Sequence, residues 1–136
     1  MRDVKIYQDI FGAGLHNGQF TWIPYVQPGR ASVDVEWLYT GEETGPDGAE
    51  AYVARFGPGA HGDLHEHLGF ELLIVLEGEL HNDNGDVYPP GTLIVERPES
   101  VHQVSSPNGC VCIVIREKGT LPVAVDAPGA SELANA

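Results

Sequence analysis

Hydrophobic and polar positions alternate in short runs along this chain. Val33-Asp34-Val35-Glu36-Trp37 and Tyr52-Val53-Ala54-Arg55-Phe56 each repeat with period two, the pattern of a strand with one face buried. Comparable β-type runs cover residues 19–26, 32–39, 50–56, 71–76, 91–96, 101–105 and 109–116. No window of helical length carries a clean helical period. The run Leu72-Leu73-Ile74-Val75-Leu76 lacks alternation. It predicts a strand buried on both faces, one inward and one beneath a second sheet or a partner. Asp83-Asn84-Gly85-Asp86 reads as a tight turn, because Asn-Gly readily takes positive φ. Pro89-Pro90-Gly91, Pro98 and Pro107-Asn108-Gly109 mark further connections. Many short strands with regular turn signals predict an all-β sandwich or barrel.

Length and charge narrow the picture. The 136 residues fit one domain, which at this size buries roughly 68% of the surface of its unfolded chain. The expected organisation is an N-terminal segment over 1–19, a barrel over 20–118 and a C-terminal tail over 119–136. The first dozen residues could add an edge strand or a short helix, and the tail, poor in bulky side chains, should drape on the barrel or fray. The net charge of −13, from 20 acidic and 7 basic residues, argues against nucleic acid or an anionic membrane as partner. The opening Met1-Arg2-Asp3-Val4-Lys5 leads into no apolar stretch, so neither a signal peptide nor a membrane span is expected, and the expected location is cytoplasmic. Cys110 and Cys112 sit two apart on one expected strand and share a face. Reduced, buried packing is the favoured reading over a Cys-x-Cys metal site.

Three of the six histidines fall between His61 and His67. On a strand, His65 and His67 project from one face with Cα atoms about 6.6 Å apart, a workable spacing for two ligands on one ion. Glu71 has the same parity, but on a straight strand it would lie about 13 Å beyond His67. Gly69 offers a bend that could return it. His102 follows two turns later, as if from an opposing hairpin. Three imidazoles and a carboxylate suit one divalent transition metal per chain (Zn, Fe, Mn, Ni or Cu) and disfavour Ca and Mg. Four such ligands would close a tetrahedral zinc, whereas octahedral Fe or Mn would keep two open positions. His61 is a candidate acid or base or a gate, with exposed loop residue as the plainer reading. Glu66 should point away, and Glu77 and Glu79 read as solvated hairpin charges.

Gly59, His65, His67, Glu71 and Gly78 match the first cupin motif, G-x5-H-x-H-x3-E-x6-G, at every fixed position. Gly85-Asp86, Pro89-Pro90-Gly91, Pro98 and His102 resemble the second motif with a lengthened spacer. The stretch 105–110, with Phe20-Thr21-Trp22-Ile23-Pro24 and Pro28-Gly29, is similar to the cupin domain of ChrR-type anti-sigma proteins and their stand-alone relatives. The resemblance implies a jelly-roll β-barrel, a double-stranded β-helix, with the metal in its mouth on His65, His67, Glu71 and His102. Two departures stand out. The second motif's usual asparagine after the histidine is absent, with Ser105 or Ser106 in that region. Only about twenty residues precede the barrel, too few for the helical sigma-binding domain of ChrR proteins.

The cupin resemblance supports two functions. One is a metal-dependent enzyme, of dioxygenase type, acting on a small organic molecule. The alternative is a stand-alone ChrR-like zinc-binding sensor. Either Tyr52, Ala54 and Phe56 or Val53 and Arg55 face the ion. An inward Arg55 or Arg116 would point to an anionic substrate, although rim positions with acidic neighbours are the favoured reading for both. The doubly apolar strand at 72–76 and the open sheet edges predict a homodimer.

Overall fold

The computed structural model describes residues 3–123. Twelve strands carry the fold: β1 (Ile23–Pro24), β2 (Ala31–Tyr39), β3 (Glu50–His61), β4 (His65–His67), β5 (Glu71–Gly78), β6 (Leu80–Asn82), β7 (Val87–Tyr88), β8 (Leu93–Glu96), β9 (Val101–His102), β10 (Val104–Ser106), β11 (Cys110–Arg116) and β12 (Thr120–Pro122). Among the described residues, helical structure is confined to a 3-10 turn, Ala13–Leu15, and one short helix, Gly41–Thr44. The latter is held by a capping box in which Thr40 and Glu43 exchange hydrogen bonds.

A nine-stranded sheet runs β7-β6-β10-β3-β11-β5-β8, with β2 also on β3 and β1 on β2. A three-stranded sheet, β12-β4-β9, completes the architecture. Every strand pair is antiparallel. The long β3 holds the barrel together, because it pairs with β2, β10 and β11. Gly78, the last fixed position of the first motif, ends β5 at φ +71°, where a Cβ would lie 2.2 Å from the Gly109 carbonyl. Only glycine fits there.

Alternation sorts side chains between two cores. Val33, Val35, Tyr52, Ala54, Phe56, Leu73, Val75, Cys110, Cys112 and Val114 fill the interior. Val53 and Val111 face the other way, where the N-terminal segment covers them with Leu15 and Phe20, and with Tyr7 and Ile10 at the margin. That segment contributes the single 3-10 turn rather than a strand. Thr120–Pro122 pairs with β4, Thr120 opposite His67. The small-residue stretch 127–131 lies outside the described residues.

On the run at 72–76 one face is inward, and within the described residues the other has no second sheet over it. Leu73 and Val75 are buried, but Leu72 is 38% exposed, and Leu93 and Val95 on neighbouring β8 are 59% and 54% exposed. Leu72 pairs with Val95 and Ile74 with Leu93. Among the described residues no second layer covers this apolar outer face. No described helix is long and apolar enough to cross a membrane.

Candidate metal centre

β4 presents His65 and His67 to one face with Glu66 between them, half-buried on the other side. β9 runs antiparallel to β4 and sets His102 directly opposite His65. Cross-strand neighbours on one face stand close enough for their side chains to meet. The three rings pack edge to face, with centroids 4.7–4.8 Å apart. Each offers one ligand atom within 4.8 Å of the others, and all three residues are buried. Such a group could hold a metal ion.

Each ring is fixed from behind. His65 Nδ1 lies 2.8 Å from the Asp63 carbonyl, and His67 Nδ1 lies 3.0 Å from the Ser100 carbonyl. A carbonyl only accepts, so both Nδ1 atoms carry protons. His102 Nδ1 lies 2.9 Å from Asn82 Oδ1 and 3.3 Å from Glu96 Oε1. Acceptors behind ring nitrogens fix the tautomer and the orientation of imidazoles that bind metals. None of these positioning groups stands out in the sequence, since a backbone carbonyl has no residue signature and Asn82 sits in a turn-like stretch.

The electrostatics fit a cation. His65 Nε2 is buried without a hydrogen-bond partner. Burial and the neighbouring His102 push His65 down to about 4, so at neutral pH this nitrogen presents a bare lone pair. His102 is also lowered, chiefly by burial. His67 moves up: burial opposes its charge, but the hydrogen bond and charge of Glu71 outweigh it. Glu71 Oε2 lies 3.1 Å from His67 Nε2. Through this contact Glu71 favours the protonated form of the His67 ring. Burial raises Glu71, yet His67 and Arg116 together bring it down to about 2.

Glu71 reaches the site because the chain turns over Leu68-Gly69-Phe70 and enters the large sheet at β5. Gly69 matters there for close approach, since a Cβ would meet Glu117 Oε1 at 2.9 Å. The far oxygen of Glu71 accepts from Arg116 Nε at 2.6 Å, and Arg116 Nη1 reaches Glu50 at 3.0 Å. Arg116 is therefore buried, not at the rim as expected, because Glu71 and Glu50 neutralise it inside the barrel. Arg55 does sit at the surface, paired with Asp34.

A cavity of about 30 Å³ adjoins the histidines, with Arg30, Tyr52, Ala54, Leu73, Val104 and Arg116 on its wall. The face of β3 carrying Tyr52, Ala54 and Phe56 is thus the inner one. Tyr52 is raised by burial and remains a hydroxyl. His61 closes β3 rather than lying in a loop, half-buried, with Nδ1 3.1 Å from the Gly62 carbonyl and off the cavity wall. Arg30, absent from the sequence reading, is buried on that wall and paired with Asp63 at 2.7 Å.

A family model for the ChrR cupin-like domain matches residues 13–120. The chain belongs to this ChrR cupin-like family. Solved structures share the cupin fold. A putative acetylacetone dioxygenase from Methylibium petroleiphilum is 16% identical with a TM-score of 0.70, covering 93% of this chain and 88% of that one. ChrR in complex with SigE from Rhodobacter sphaeroides is 22% identical with a TM-score of 0.60, covering 77% of this chain and 54% of that one. A protein of cupin-like fold and unknown function from Ralstonia eutropha is 22% identical with a TM-score of 0.61, covering 70% of this chain. This ChrR-like cupin spans 60% of the length of that last protein. A search of curated protein sequences finds no match.

Proposed function

We propose that this cupin binds one divalent transition metal through His65, His67, His102 and Glu71 and acts as a metal-dependent enzyme, of dioxygenase type, on a small organic molecule. The observation that carries this reading is His65 Nε2, a buried lone pair without a partner beside two further imidazoles. A buried acceptor left bare is costly, and a metal ion would satisfy it. The 3.1 Å between Glu71 Oε2 and His67 Nε2 suits two neighbouring ligands at bond lengths of about 2.1 Å. The donor set fits Zn, Fe, Mn or Ni.

When bound, such a metal supplies Lewis acidity and, if iron, an electron path to dioxygen. The chain's own residues do the rest. Asp63, Ser100 and Asn82 orient the imidazoles, Arg116 keeps Glu71 ionised, and Ala54, Leu73 and Val104 exclude water. The cavity holds one or a few water-sized molecules, which restricts any substrate to small size. Oxygen uptake by Fe(II)-loaded protein with β-diketones, hydroxy-ketones, catechols and short organic acids tests the enzyme reading. Absence of turnover with every metal across the panel would remove it.

A second reading, a zinc-binding sensor related to the ChrR cupin, draws support from the same small cavity and from Glu71 standing ready as a fourth ligand. X-ray absorption of the zinc-loaded protein separates the two: four protein ligands without water favour sensing, and open positions favour catalysis. The free, buried Cys110 and Cys112 suit a reducing, cytoplasmic setting. The uncovered face around Leu72, Leu93 and Val95 suits a second copy of the chain as partner.

A further inference from the structure

Arg30 shares the cavity wall with His65, Glu71, His102 and Arg116, yet its charge is treated differently from that of Arg116. Arg116 spends Nε on Glu71 and Nη1 on Glu50. Arg30 gives one bond, from Nη2 to Asp63 Oδ1 at 2.7 Å. Its Nε is buried and unpartnered, and so is Asp63 Oδ2. The side chain is only 5% exposed, and the guanidinium is stacked 4.1 Å over the Tyr25 ring. A guanidinium fork matches a carboxylate through two parallel N–H donors, and here Asp63 takes only one of the fork's places. Stacking on Tyr25 holds the plane of the fork in position. The Asp63 carbonyl is also the acceptor that fixes His65, so Arg30 is tied to the loop that positions a metal-site imidazole.

We propose that Arg30 is a carboxylate-recognition residue: its unspent Nε–H, in a side chain that lines the cavity with His65 and His102, takes an oxygen of a small organic acid bound beside the metal centre. This deepens the enzyme reading above by naming its substrate class, and it rests on that reading. The surrounding charges allow it. Arg116 is already matched by Glu71 and Glu50, Tyr52 is a neutral hydroxyl, and Asp63 leaves a donor of Arg30 unused. The cavity admits only a short acid, of formate or acetate size.

The test is a titration of the metal-loaded protein with formate and with acetate, following the Arg30 Nε–H signal by NMR, assigned through its proximity to the Tyr25 ring. Formamide and acetamide serve as neutral controls. A saturable shift with the acids and none with the amides is expected. In Arg30→Gln the apparent dissociation constant for formate should rise about tenfold or more, since a charge-assisted hydrogen bond is lost. Metal content per chain, measured on both proteins, keeps the two readings apart: a full metal complement without an acid-induced shift overturns the carboxylate role alone. Should Arg30→Gln fail to fold, the wild-type signal decides. A signal unmoved by either acid, as when Asp63 turns to fork Arg30 with both oxygens, overturns the proposal.

Discussion

Glu71 ties the ion-pair network to the histidine cluster, with one oxygen on Arg116 and the other on His67. Both carboxylate and guanidinium are buried. Removing one member of a buried pair leaves the other uncompensated, so Glu71→Ala should destabilise the metal-free fold by about 3–5 kcal/mol. Urea denaturation of chelator-treated protein measures it, and a loss within the noise would show that Glu50 alone satisfies Arg116. Acid should act on the same residues. His65 sits at about 4 against an ordinary 6.5, so between those values the unfolded chain takes up a proton that the folded chain refuses. Stability of the metal-free protein should fall with pH through that window. Glu71, at about 2 against 4.5, continues the loss below. His67, raised, has the opposite sign: its contribution is complete below 6.5 and fades as pH rises through its folded value. Urea midpoints measured stepwise from pH 7 to pH 4 should decline in the wild type and decline less steeply in His65→Asn, where lowered His102 still contributes.

The site is assembled by elements distant in sequence. β4 and β9 supply the histidines, β5 the glutamate, and β6 the asparagine behind His102. Asn82→Ala removes a positioning acceptor without touching a proposed ligand. Metal affinity should drop about 10–100-fold, as read by competition with a chromophoric chelator; unchanged affinity would mean that Glu96 orients His102 unaided. At this scale the sequence was most legible. Period-two runs marked β2 and β3, other β-type runs marked β5, β8 and β11, and His65, His67 and His102, three of the four residues picked out by motif spacing, come together in one buried cluster. Arg30 was invisible because a lone arginine before a strand looks like any surface residue. Arg116 misled because its two carboxylate partners, Glu50 and Glu71, are far from it in sequence. The outer face of residues 72–76 looked buried because an apolar run carries no sign of whether its cover comes from its own chain.

At the scale of the molecule, the face left uncovered among the described residues is where a second copy would dock. Leu72, Ile74, Leu93 and Val95 lie together on β5 and β8, and β8 ends the large sheet, so two copies could meet there about a two-fold axis. Leu93→Lys should shift the chain toward monomer in sedimentation velocity. With −13 on each copy, higher salt should strengthen the wild-type association by screening repulsion. A wild type that sediments as a monomer at every concentration would remove the dimer.

Elemental analysis of the purified protein, beside His65→Ala and His102→Ala, asks whether the three histidines hold a metal ion. The wild-type chain should carry about one transition-metal ion and either variant close to none, with the β-sheet circular dichroism retained. A wild type that binds no transition metal even when supplied with it, or variants that keep a full complement, would contradict metal binding by these histidines.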